Sequence, residues 1–526
     1  MMEEETLSGR GRIRAGGGGA GECAGVGQSE KARAARFGNG VDRVRGAEKL
    51  RVEMEIASVA RPSGRQLSLE VAGIFLVCLL LSGIRVALPE PPNPAREGRV
   101  EPVIAEADPE ANRHYDRLAD EVDYYAPVIR RMTSRWPRID LREDTFAEKP
   151  PGFPFLMATV ARATGADFRW LRAVQMLLSA GVVAVLYVWV RRARAPGTAL
   201  ALVAPLAGSS FFIKSSSYLT TDNPTLLCTT IALSVLLAER RSTAGVFAVL
   251  VCATAAASFR QDALWLAAPI GVWLLLAGPA RRWKSDGREA VVSWPQRWLA
   301  VGAVALPLAI VARMVIEWGG LVPSAHVRGI PDPGFGFMPM VYVLSVAALF
   351  GWPWLIARHG ARETLARATG GVAIGCGVVG IVLAVATNSA YGRDVGHWGG
   401  YLWSVAALLP EVAGRSPLFL VLAPFGALAL GAIGAEVWAH RPRAAAVLGA
   451  ACAGWALAVC FNPLVFHRYY EAPLLVFLLL SAGMLPAMPV RANVWRDQLP
   501  LWAVSAGQLF ITVTTLYLSL FAAWRR

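Results

Sequence analysis

The feature that most constrains the fold of this chain is a series of about thirteen apolar stretches, most of them close to the length of a membrane-spanning helix. The stretches lie at 69–88, 172–190, 197–213, 223–238, 244–258, 263–279, 298–316, 338–357, 371–387, 417–438, 444–460, 472–489 and 500–522. Lipid offers the backbone no hydrogen-bond partners, so such stretches cross a bilayer as α-helices. The sequence therefore predicts an all-α polytopic membrane protein with about 11 to 14 transmembrane helices.

The composition agrees with this fold class. Of the 526 residues, 55% are hydrophobic and 17% are charged, and the mean hydropathy is +0.43. These values exclude a soluble single domain and a disordered chain. The seven cysteines show no close paired spacing, so neither a disulfide framework nor a zinc site is expected.

The first 66 residues differ from the rest of the chain. They are rich in glycine, arginine and glutamate and show almost no apolar periodicity, so we expect a disordered tail at 1–66 before a membrane domain at 67–526. Met54 is an alternative start within this tail. The stretch 69–88 is long enough to span, and no small-residue cleavage site follows it, so we expect a membrane helix and not a cleaved signal peptide.

The net charge of +14 has a topological explanation. If the N-terminus is cytoplasmic, the inner loops contain seventeen basic residues and five acidic ones. This excess satisfies the positive-inside rule, so no nucleic-acid partner is expected. Arg525 and Arg526 are the exception, because a thirteenth span places them outside.

With this orientation, the remaining polar clusters fall on the outer face. The first outer loop, 89–152, is the longest and contains Asp120 and Glu121. Five further clusters lie at 214–223, 259–262, 326–328, 388–403 and 467–471. A single cluster of this kind is more typical of a solvated helix end or an interfacial anchor. Six on one face, with carboxylate, guanidinium and imidazole groups, indicate a functional site.

The residue types suit the transfer of a sugar from a lipid phosphate. Such a reaction needs a carboxylate that accepts the proton of the acceptor hydroxyl, which Asp120 or Glu121 can supply. It also needs cations for the departing phosphate, and the candidates are Lys149, Arg260, Arg393 and Arg468. Aromatic rings can stack on sugars, and the candidates are Tyr124, Tyr125, Trp398, Tyr401 and Tyr469.

An ordered series of motifs runs through residues 115–480. It consists of Asp120-Glu121, Pro150-Pro151-Gly152, Leu171-Arg172-Ala-Val174, Tyr218-Leu-Thr-Thr-Asp222, Phe259-Arg260-Gln261, Asp394-x-x-His397-Trp398-x-x-Tyr401-x-Trp403, and Pro463-Leu464-Val465 through Arg468-Tyr469-Tyr470. This series resembles the eukaryotic dolichyl-phosphate-glucose α-1,2-glucosyltransferases, which belong to the GT-C superfamily of polytopic enzymes.

The resemblance implies a GT-C fold and a role for each matching residue. It implies inversion at the anomeric carbon, with Asp120 as the general base and Glu121 either assisting it or holding it in place. His397 is a candidate for orienting the acceptor or the phosphate. The resemblance assigns phosphate binding to Arg260, Arg468 and Arg393, and Lys149 joins them as a candidate from its charge alone. Substrate binding is assigned to Tyr124, Tyr125, Tyr218, Asp222, Gln261, Asp394, Trp398, Tyr401 and Tyr469.

The resemblance also implies the partners and the location. The donor would be a polyprenyl-phosphate sugar, the acceptor a lipid-linked glycan, and the surroundings membrane lipid. Asp120, Glu121, Asp394 and His397 could converge on a metal ion, but members of this branch work without one, so no cofactor is expected. The membrane would be that of the endoplasmic reticulum, or the cytoplasmic membrane if the source is bacterial, with the site on the lumenal or periplasmic face.

Some residues depart from the family pattern. Glu148 and Lys149 replace two threonines, and Asp262 replaces another, so the acceptor stays open. A GT-C transferase with another sugar or acceptor, such as mannose or an aminosugar transferred to protein or lipid, is the main alternative. A transporter or flippase is a further alternative, although we find no internal repeat and the charges lie at one face.

Two local alternatives concern single residues. Glu148 and Lys149 could form a local ion pair in the loop. Asp222 and Asn223 precede Pro224, a combination that is typical of a helix N-cap.

Overall fold

The computed structural model describes residues 62–87, 121, 125–141, 149–165, 167–238, 242–276, 292–321, 335–392, 399–462, 465–486 and 494–524. The predicted tail therefore lies almost wholly outside the described residues, as do Asp120, Tyr124, Glu148, Arg393, Asp394, His397 and Trp398.

The described residues form helices and no β-strand. Those in the first half of the chain are α1 (Gly64–Ala87), α2 (Ala126–Arg135), α3 (Gly152–Thr164), α4 (Phe168–Arg191), α5 (Pro196–Ala207), α6 (Ser210–Ser217), α7 (Asp222–Leu237), α8 (Thr243–Phe259), a 3-10 helix (Gln261–Leu266) and α9 (Ala267–Leu276). Those in the second half are α10 (Trp294–Trp318), α11 (Met338–His359), α12 (Ala361–Ala368), α13 (Gly371–Ala386), α14 (Tyr401–Ala406), α15 (Pro417–His440), α16 (Pro442–Cys460), a 3-10 helix (His467–Tyr469), α17 (Glu471–Met484) and α18 (Val494–Trp524).

The predicted fold class is confirmed: the chain is an all-α membrane protein, and the described part of each predicted apolar stretch is mainly helical. Six of the described helices are long and apolar enough to cross a membrane singly, or up to eight if each of two bent pairs counts as one span. The predicted count of 11 to 14 is higher because it includes short helices such as α7, α8 and α17, which have 16, 17 and 14 residues.

Two bends interrupt the apolar helices. The pair α5 and α6 is bent by 68°, and the pair α12 and α13 by 73°. The first bend lies at Gly208 and Ser209, where the Ser209 hydroxyl accepts a hydrogen bond from the Phe212 amide and so caps α6. The predicted apolar stretch 197–213 is therefore a broken helix with a polar joint.

Glycines allow some of these helices to touch through their backbones. A Cβ atom at Gly426 of α15 would lie 1.7 Å from the Leu344 carbonyl oxygen of α11. A Cβ atom at Gly380 of α13 would lie 2.9 Å from the Pro424 Cα atom of α15. Small residues at such crossings are characteristic of packing within membranes, where close van der Waals contact drives helix association.

The bundle has two chemically different ends. We call the end that contains Glu121, Arg260 and Glu471 the polar end, because each of these residues forms hydrogen bonds there with other polar side chains. The other, which contains Arg191 and Arg358, is the basic end. Successive long helices run between the two, so turns far apart in sequence are brought together at each.

A separate apolar cluster seats the first outer loop on the polar end. Ile129 and Met132 of α2 pack with Phe153 and Met157 of α3, and all four side chains are buried. Leu219, from the turn that precedes α7, and Phe259, the last residue of α8, complete the contact. Because burial of each large side chain contributes about 1.5–3 kcal/mol, this cluster fixes the loop helices against those turns.

Candidate functional site

The Pro150-Pro151-Gly152 motif is a close contact between the first outer loop and α8. A Cβ atom at Gly152 would lie 2.5 Å from the Ser258 carbonyl oxygen, so only glycine allows α3 to begin there. This contact brings the residue before the two prolines, Lys149, near the end of α8. Lys149 is close enough to Asp262 for the two charges to attract each other.

Glu121 is fully engaged with protein groups. Its carboxylate accepts two hydrogen bonds from Arg172 Nε, at 3.0 and 3.2 Å, and one from Nη2, at 2.7 Å. It also accepts one from the Leu219 amide at 3.0 Å, and the residue is 2% exposed. The Arg172 guanidinium lies 5.7 Å from the centre of the Tyr218 ring. Of the two roles predicted for Glu121, this arrangement favours holding its neighbours in place.

The side-chain amides of two buried residues, Gln175 and Asn223, hold the turn at 218–222 in place. Gln175 donates from Nε2 to the carbonyls of Ser215 and Thr220, at 2.9 and 3.1 Å. Asn223 donates from Nδ2 to Ser179 Oγ and to the Phe212 carbonyl, at 3.0 and 3.1 Å. Tyr125 reaches the same turn, with its hydroxyl 3.3 Å from Thr221 Oγ1.

These contacts correct the N-cap alternative for Asp222 and Asn223. Thr221 occupies the N-cap position of α7, without a side-chain cap. Asn223 is turned inward to α4 and α6, and the Asp222 carboxylate faces Arg260 instead of the helix amides. The ion pair between Asp222 and Arg260, which lies far from it in sequence, therefore forms in place of a local side-chain cap on α7.

Arg260 is the centre of the first cluster. Its Nε and Nη2 donate to the two carboxylate oxygens of Asp262, at 3.0 and 2.7 Å, and its Nη1 donates to Asp222. The guanidinium is almost buried, whereas the Asp262 side chain is 41% exposed. These two carboxylates use three of the five N–H donors of Arg260, and Asp262 is the more accessible of the two for displacement by a phosphate.

Tyr469 joins Arg260 to a further cation. The Arg260 guanidinium lies 5.2 Å from the centre of the Tyr469 ring, and the Arg468 guanidinium lies 4.8 Å from it. Arg468 also donates from Nη2 to the Tyr469 hydroxyl at 2.7 Å. Cations held over an aromatic face are stabilised by the ring quadrupole. The ring thus keeps two guanidinium groups close together.

A second cluster surrounds Glu471, the first residue of α17, and all of its members except Tyr401 are buried. Its carboxylate accepts hydrogen bonds from the hydroxyls of Ser209 and Tyr401, the latter at 2.8 Å, and it pairs with His467 Nε2. The other ring nitrogen of His467 lies 2.7 Å from the Tyr342 hydroxyl. Burial, together with the Glu471 carboxylate, raises the pKa of Tyr401 well above its ordinary value, so its phenol remains a donor.

This second cluster also holds the end of the segment that contains the Asp394 to Trp403 motif. The His467 amide donates to the Gly399 carbonyl at 3.1 Å. Gly400 has a φ of +144°, and a Cβ atom there would lie 2.4 Å from His467 Cβ. Only glycine satisfies both conditions. Of the predicted site residues in this motif, only Tyr401 lies within the described part of the chain.

The structure therefore brings most of the described candidates together at the polar end. Lys149, Asp222, Arg260, Arg468 and Tyr469 are linked pairwise through Arg260, Asp262 and the Tyr469 ring, while Glu121, Tyr125 and Tyr218 lie at the adjoining turn. Gln261 lies beside Arg260, and its side chain donates to the Leu321 carbonyl at 3.4 Å. Tyr401 is set apart from these residues, because its hydroxyl is committed to the Glu471 cluster.

Sequence reasoning missed several members of these clusters. Arg172, Glu471 and His467 carried a usable signal, since the first is in a motif and the other two are four residues apart in an outer turn. Ser209 and Tyr342 carried none, because they are isolated polar residues within apolar stretches. Of the four residues considered for a metal, only Glu121 is described, and its carboxylate is occupied by Arg172.

The site combines charge and aromatic surface. Among the described side chains around Arg260, three are cationic (Lys149, Arg260, Arg468) and two are anionic (Asp222, Asp262), which leaves an excess of positive charge. Guanidinium groups match phosphate oxygens through paired hydrogen bonds, and the Tyr469 ring offers a face for stacking. Such a site can bind an anionic group that carries an apolar or sugar substituent.

Residues 148–314 match the sequence model of a glycosyltransferase family described as dolichyl-phosphate-mannose-protein mannosyltransferase. The match covers less than half of the chain. It begins one residue before Lys149 and includes Asp222, Arg260 and Asp262. The matched part of the chain thus has the sequence pattern of a glycosyltransferase.

No curated protein matches the chain. Among solved structures, the chain is similar to ArnT from Cupriavidus metallidurans bound to undecaprenyl phosphate, at 14% sequence identity, over 83% of this chain and 78% of that chain. The TM-score is 0.33, which is too low for that structure to support an argument about this one.

Proposed function

We propose that this chain is an inverting glycosyltransferase of the GT-C type, which moves a hexose from a polyprenyl phosphate carrier to a hydroxyl group of a lipid-linked glycan. The observation that carries the proposal is that the family match and the cluster of charged residues fall on the same segment of the chain. The segment that matches a glycosyltransferase family is the segment whose Lys149, Asp222 and Arg260 meet at the polar end. The active site in this proposal faces the lumen or the periplasm.

The proposed general base is Asp120. It directly precedes Glu121, whose carboxylate is held by Arg172 and the Leu219 amide and is almost completely buried, so an acceptor hydroxyl has no direct access to it. Glu121 then acts as the anchor that ties the Asp120 segment to the 218–222 turn. The acceptor hydroxyl gives its proton to Asp120 and attacks the anomeric carbon from the face opposite the lipid phosphate, which leaves with the electron pair of the broken bond.

The proposed phosphate ligands are Arg468 and Lys149, with Arg260 as their support. Arg260 uses three of its five N–H donors on Asp222 and Asp262, so it orders the site before the sugar donor binds. Displacement of the more exposed Asp262 would then give the phosphate access to Arg260. Preorganised cations of this kind stabilise the charge that develops on a leaving group. Arg393 and His397 keep their proposed roles from the resemblance.

The proposed donor sugar is glucose, which follows from the resemblance to the dolichyl-phosphate-glucose glucosyltransferases. A second candidate, mannosyl transfer to protein, is favoured by the description of the matching family. Both candidates use the same clusters and the same inverting chemistry, and they differ in the sugar and the acceptor.

The test is transfer of radiolabelled sugar by the purified protein in detergent. Polyprenyl-phosphate-glucose and polyprenyl-phosphate-mannose are offered separately, with membrane lipid extract or a peptide as acceptor. Product from the glucose donor on lipid supports the proposal, and product from mannose on peptide supports the second candidate. The absence of product from either donor in all combinations would remove both.

Asp120→Asn tests the base within the same assay. We expect transfer to fall by about 10²- to 10⁴-fold, because the amide cannot accept the proton. Asp116→Asn, four residues earlier in the same loop, is the matched control and should retain activity. Equal activity of the two variants would exclude Asp120 as the base.

A further inference from the structure

A groove lies between α4 and α7 at the basic end, away from the site described above. Its volume is about 330 Å³, and its walls include Val185, Val188 and Trp189 of α4 and Ile231 of α7. This volume is within the range of small-molecule sites in proteins, which is about 300–1,000 Å³. The lining is apolar except for Ser234 and Arg192, and both lie toward the basic end.

One wall of the groove is rigid. Trp189 donates from its indole nitrogen to the Leu480 carbonyl of α17 at 3.0 Å. Its ring rests against Gly483, where a Cβ atom would lie 2.3 Å from the indole nitrogen. The groove is therefore preformed, because the ring cannot turn without breaking this contact.

Arg192 differs from its two neighbouring arginines. Arg191 pairs with Glu70 at 2.9 Å, and Arg194 donates to the Ala482 carbonyl at 2.8 Å. Arg192 is exposed and lines the groove, and its side chain forms no hydrogen bond or ion pair within the part of the chain that the structure describes. A guanidinium at the mouth of an apolar groove suits a lipid phosphate, since basic pockets between membrane helices bind anionic head groups.

Ser234 supplies a second polar position deeper in the groove. Its hydroxyl oxygen is buried and has no hydrogen-bond partner among the described residues. It lies three residues before the end of α7, whereas Arg192 follows the last residue of α4, so the hydroxyl is about one helical turn, or about 5 Å, deeper. A buried hydroxyl without a partner is unfavourable, and an ester carbonyl at that depth would satisfy it.

We propose that this groove binds one anionic phospholipid of the leaflet at the basic end. The phosphate contacts Arg192, an ester carbonyl accepts a hydrogen bond from Ser234, and one acyl chain lies along Val188, Val185 and Ile231. The lipid joins α4 to α7, the two helices whose other ends form the 218–222 turn and carry Arg172. The binding site is independent of the proposed enzymatic activity.

The experiment measures lipid binding to the purified, delipidated full chain by native mass spectrometry. The probes are palmitoyl-oleoyl phosphatidylglycerol, phosphatidylcholine with the same chains, and undecaprenyl phosphate. We expect one phosphatidylglycerol bound in preference to phosphatidylcholine. Arg192→Gln should weaken its binding by about fivefold, the effect of one basic residue near an anionic lipid.

Two further variants test the proposed position of the lipid in the groove. Ser234→Ala should weaken phosphatidylglycerol binding without changing the preference over phosphatidylcholine, and Val188→Phe should abolish binding by filling the groove. Arg362→Gln removes an exposed arginine of α12 at the same end and is the matched control, which should bind as the native chain does. Equal binding of the two phospholipids, an equal loss with Arg362→Gln, or a preference for undecaprenyl phosphate that Arg192→Gln removes would overturn the proposal.

Discussion

Two buried glutamates, one at each end of the bundle, are held in different ways. At the basic end, Glu436 of α15 accepts from Arg358 Nε and pairs with His359 Nε2, both at 2.8 Å. At the polar end, Glu471 of α17 pairs with His467 but has hydroxyl groups in place of the arginine. Both side chains are almost completely buried, at 5% and 0% exposure.

The two clusters differ in the further contacts that Arg358 and the residues after His467 make. Arg358 donates onward to the Pro486 carbonyl at 3.1 Å, so the basic-end cluster closes on a backbone carbonyl and ties α11 and α15 to the end of α17. His467 is followed by Arg468 and Tyr469, and the Tyr469 ring contacts the guanidinium groups of both Arg260 and Arg468. We infer that the basic end holds the helices together, whereas the polar end holds binding groups. Substitutions at the first should change stability, and substitutions at the second should change kinetics.

The strongest test of the basic end is Glu436→Ala. The substitution leaves the Arg358 guanidinium buried without its carboxylate, and loss of one partner of a buried pair costs about 3–5 kcal/mol. We expect a correspondingly lower free energy of unfolding, measured by denaturant titration in detergent. The donor KM of the molecules that remain folded should be unchanged. A donor KM that rises with little loss of stability would contradict the division between the two ends.

At the polar end, Arg468→Ala is the substitution that we expect to change the donor KM most while leaving the free energy of unfolding almost unchanged. Hydrogen bonds to charged groups contribute about 1.5–3 kcal/mol, so we expect the donor KM to rise by about 10- to 100-fold. The free energy of unfolding should change little, because the guanidinium is only partly buried. Arg367→Ala, at an exposed ion pair with Glu363 of the basic end, is the control and should alter neither quantity measurably. An unchanged donor KM in Arg468→Ala would remove this residue from the phosphate site.

The fold class could be predicted from the sequence because apolar length alone determines a membrane helix. Helix count was harder: α5 and α6 form one apolar stretch, and only the hydrogen bond of Ser209 to Glu471 shows why the joint is polar. Arg260 and Asp222 could be found as candidates, since each interrupts an apolar region. Their pairing could not, because it depends on the relative placement of α7 and α8 and competes with a local N-cap.

The smallest expected effect, and the closest comparison of the two ends, comes from a matched pair of tyrosines. Tyr401 donates to Glu471 at the polar end, and Tyr187 donates to Glu70 at the basic end, both at 2.8 Å. Each substitution by phenylalanine removes one hydroxyl that donates to a carboxylate, so each should lower the free energy of unfolding by a similar amount, about 1.5–3 kcal/mol.

The kinetics of the two variants should nevertheless differ. Glu70 keeps Arg191 as a partner, and the Tyr187→Phe variant should transfer sugar as the native chain does. In Tyr401→Phe, Glu471 loses one of its neutral donors, and the segment that continues into Arg468 and Tyr469 is held less firmly. We expect a two- to fivefold rise in donor KM for this variant alone, about 0.4–1 kcal/mol. Equal kinetics at equal stability would mean that the Glu471 cluster, like the Glu436 cluster, serves only to hold helices together.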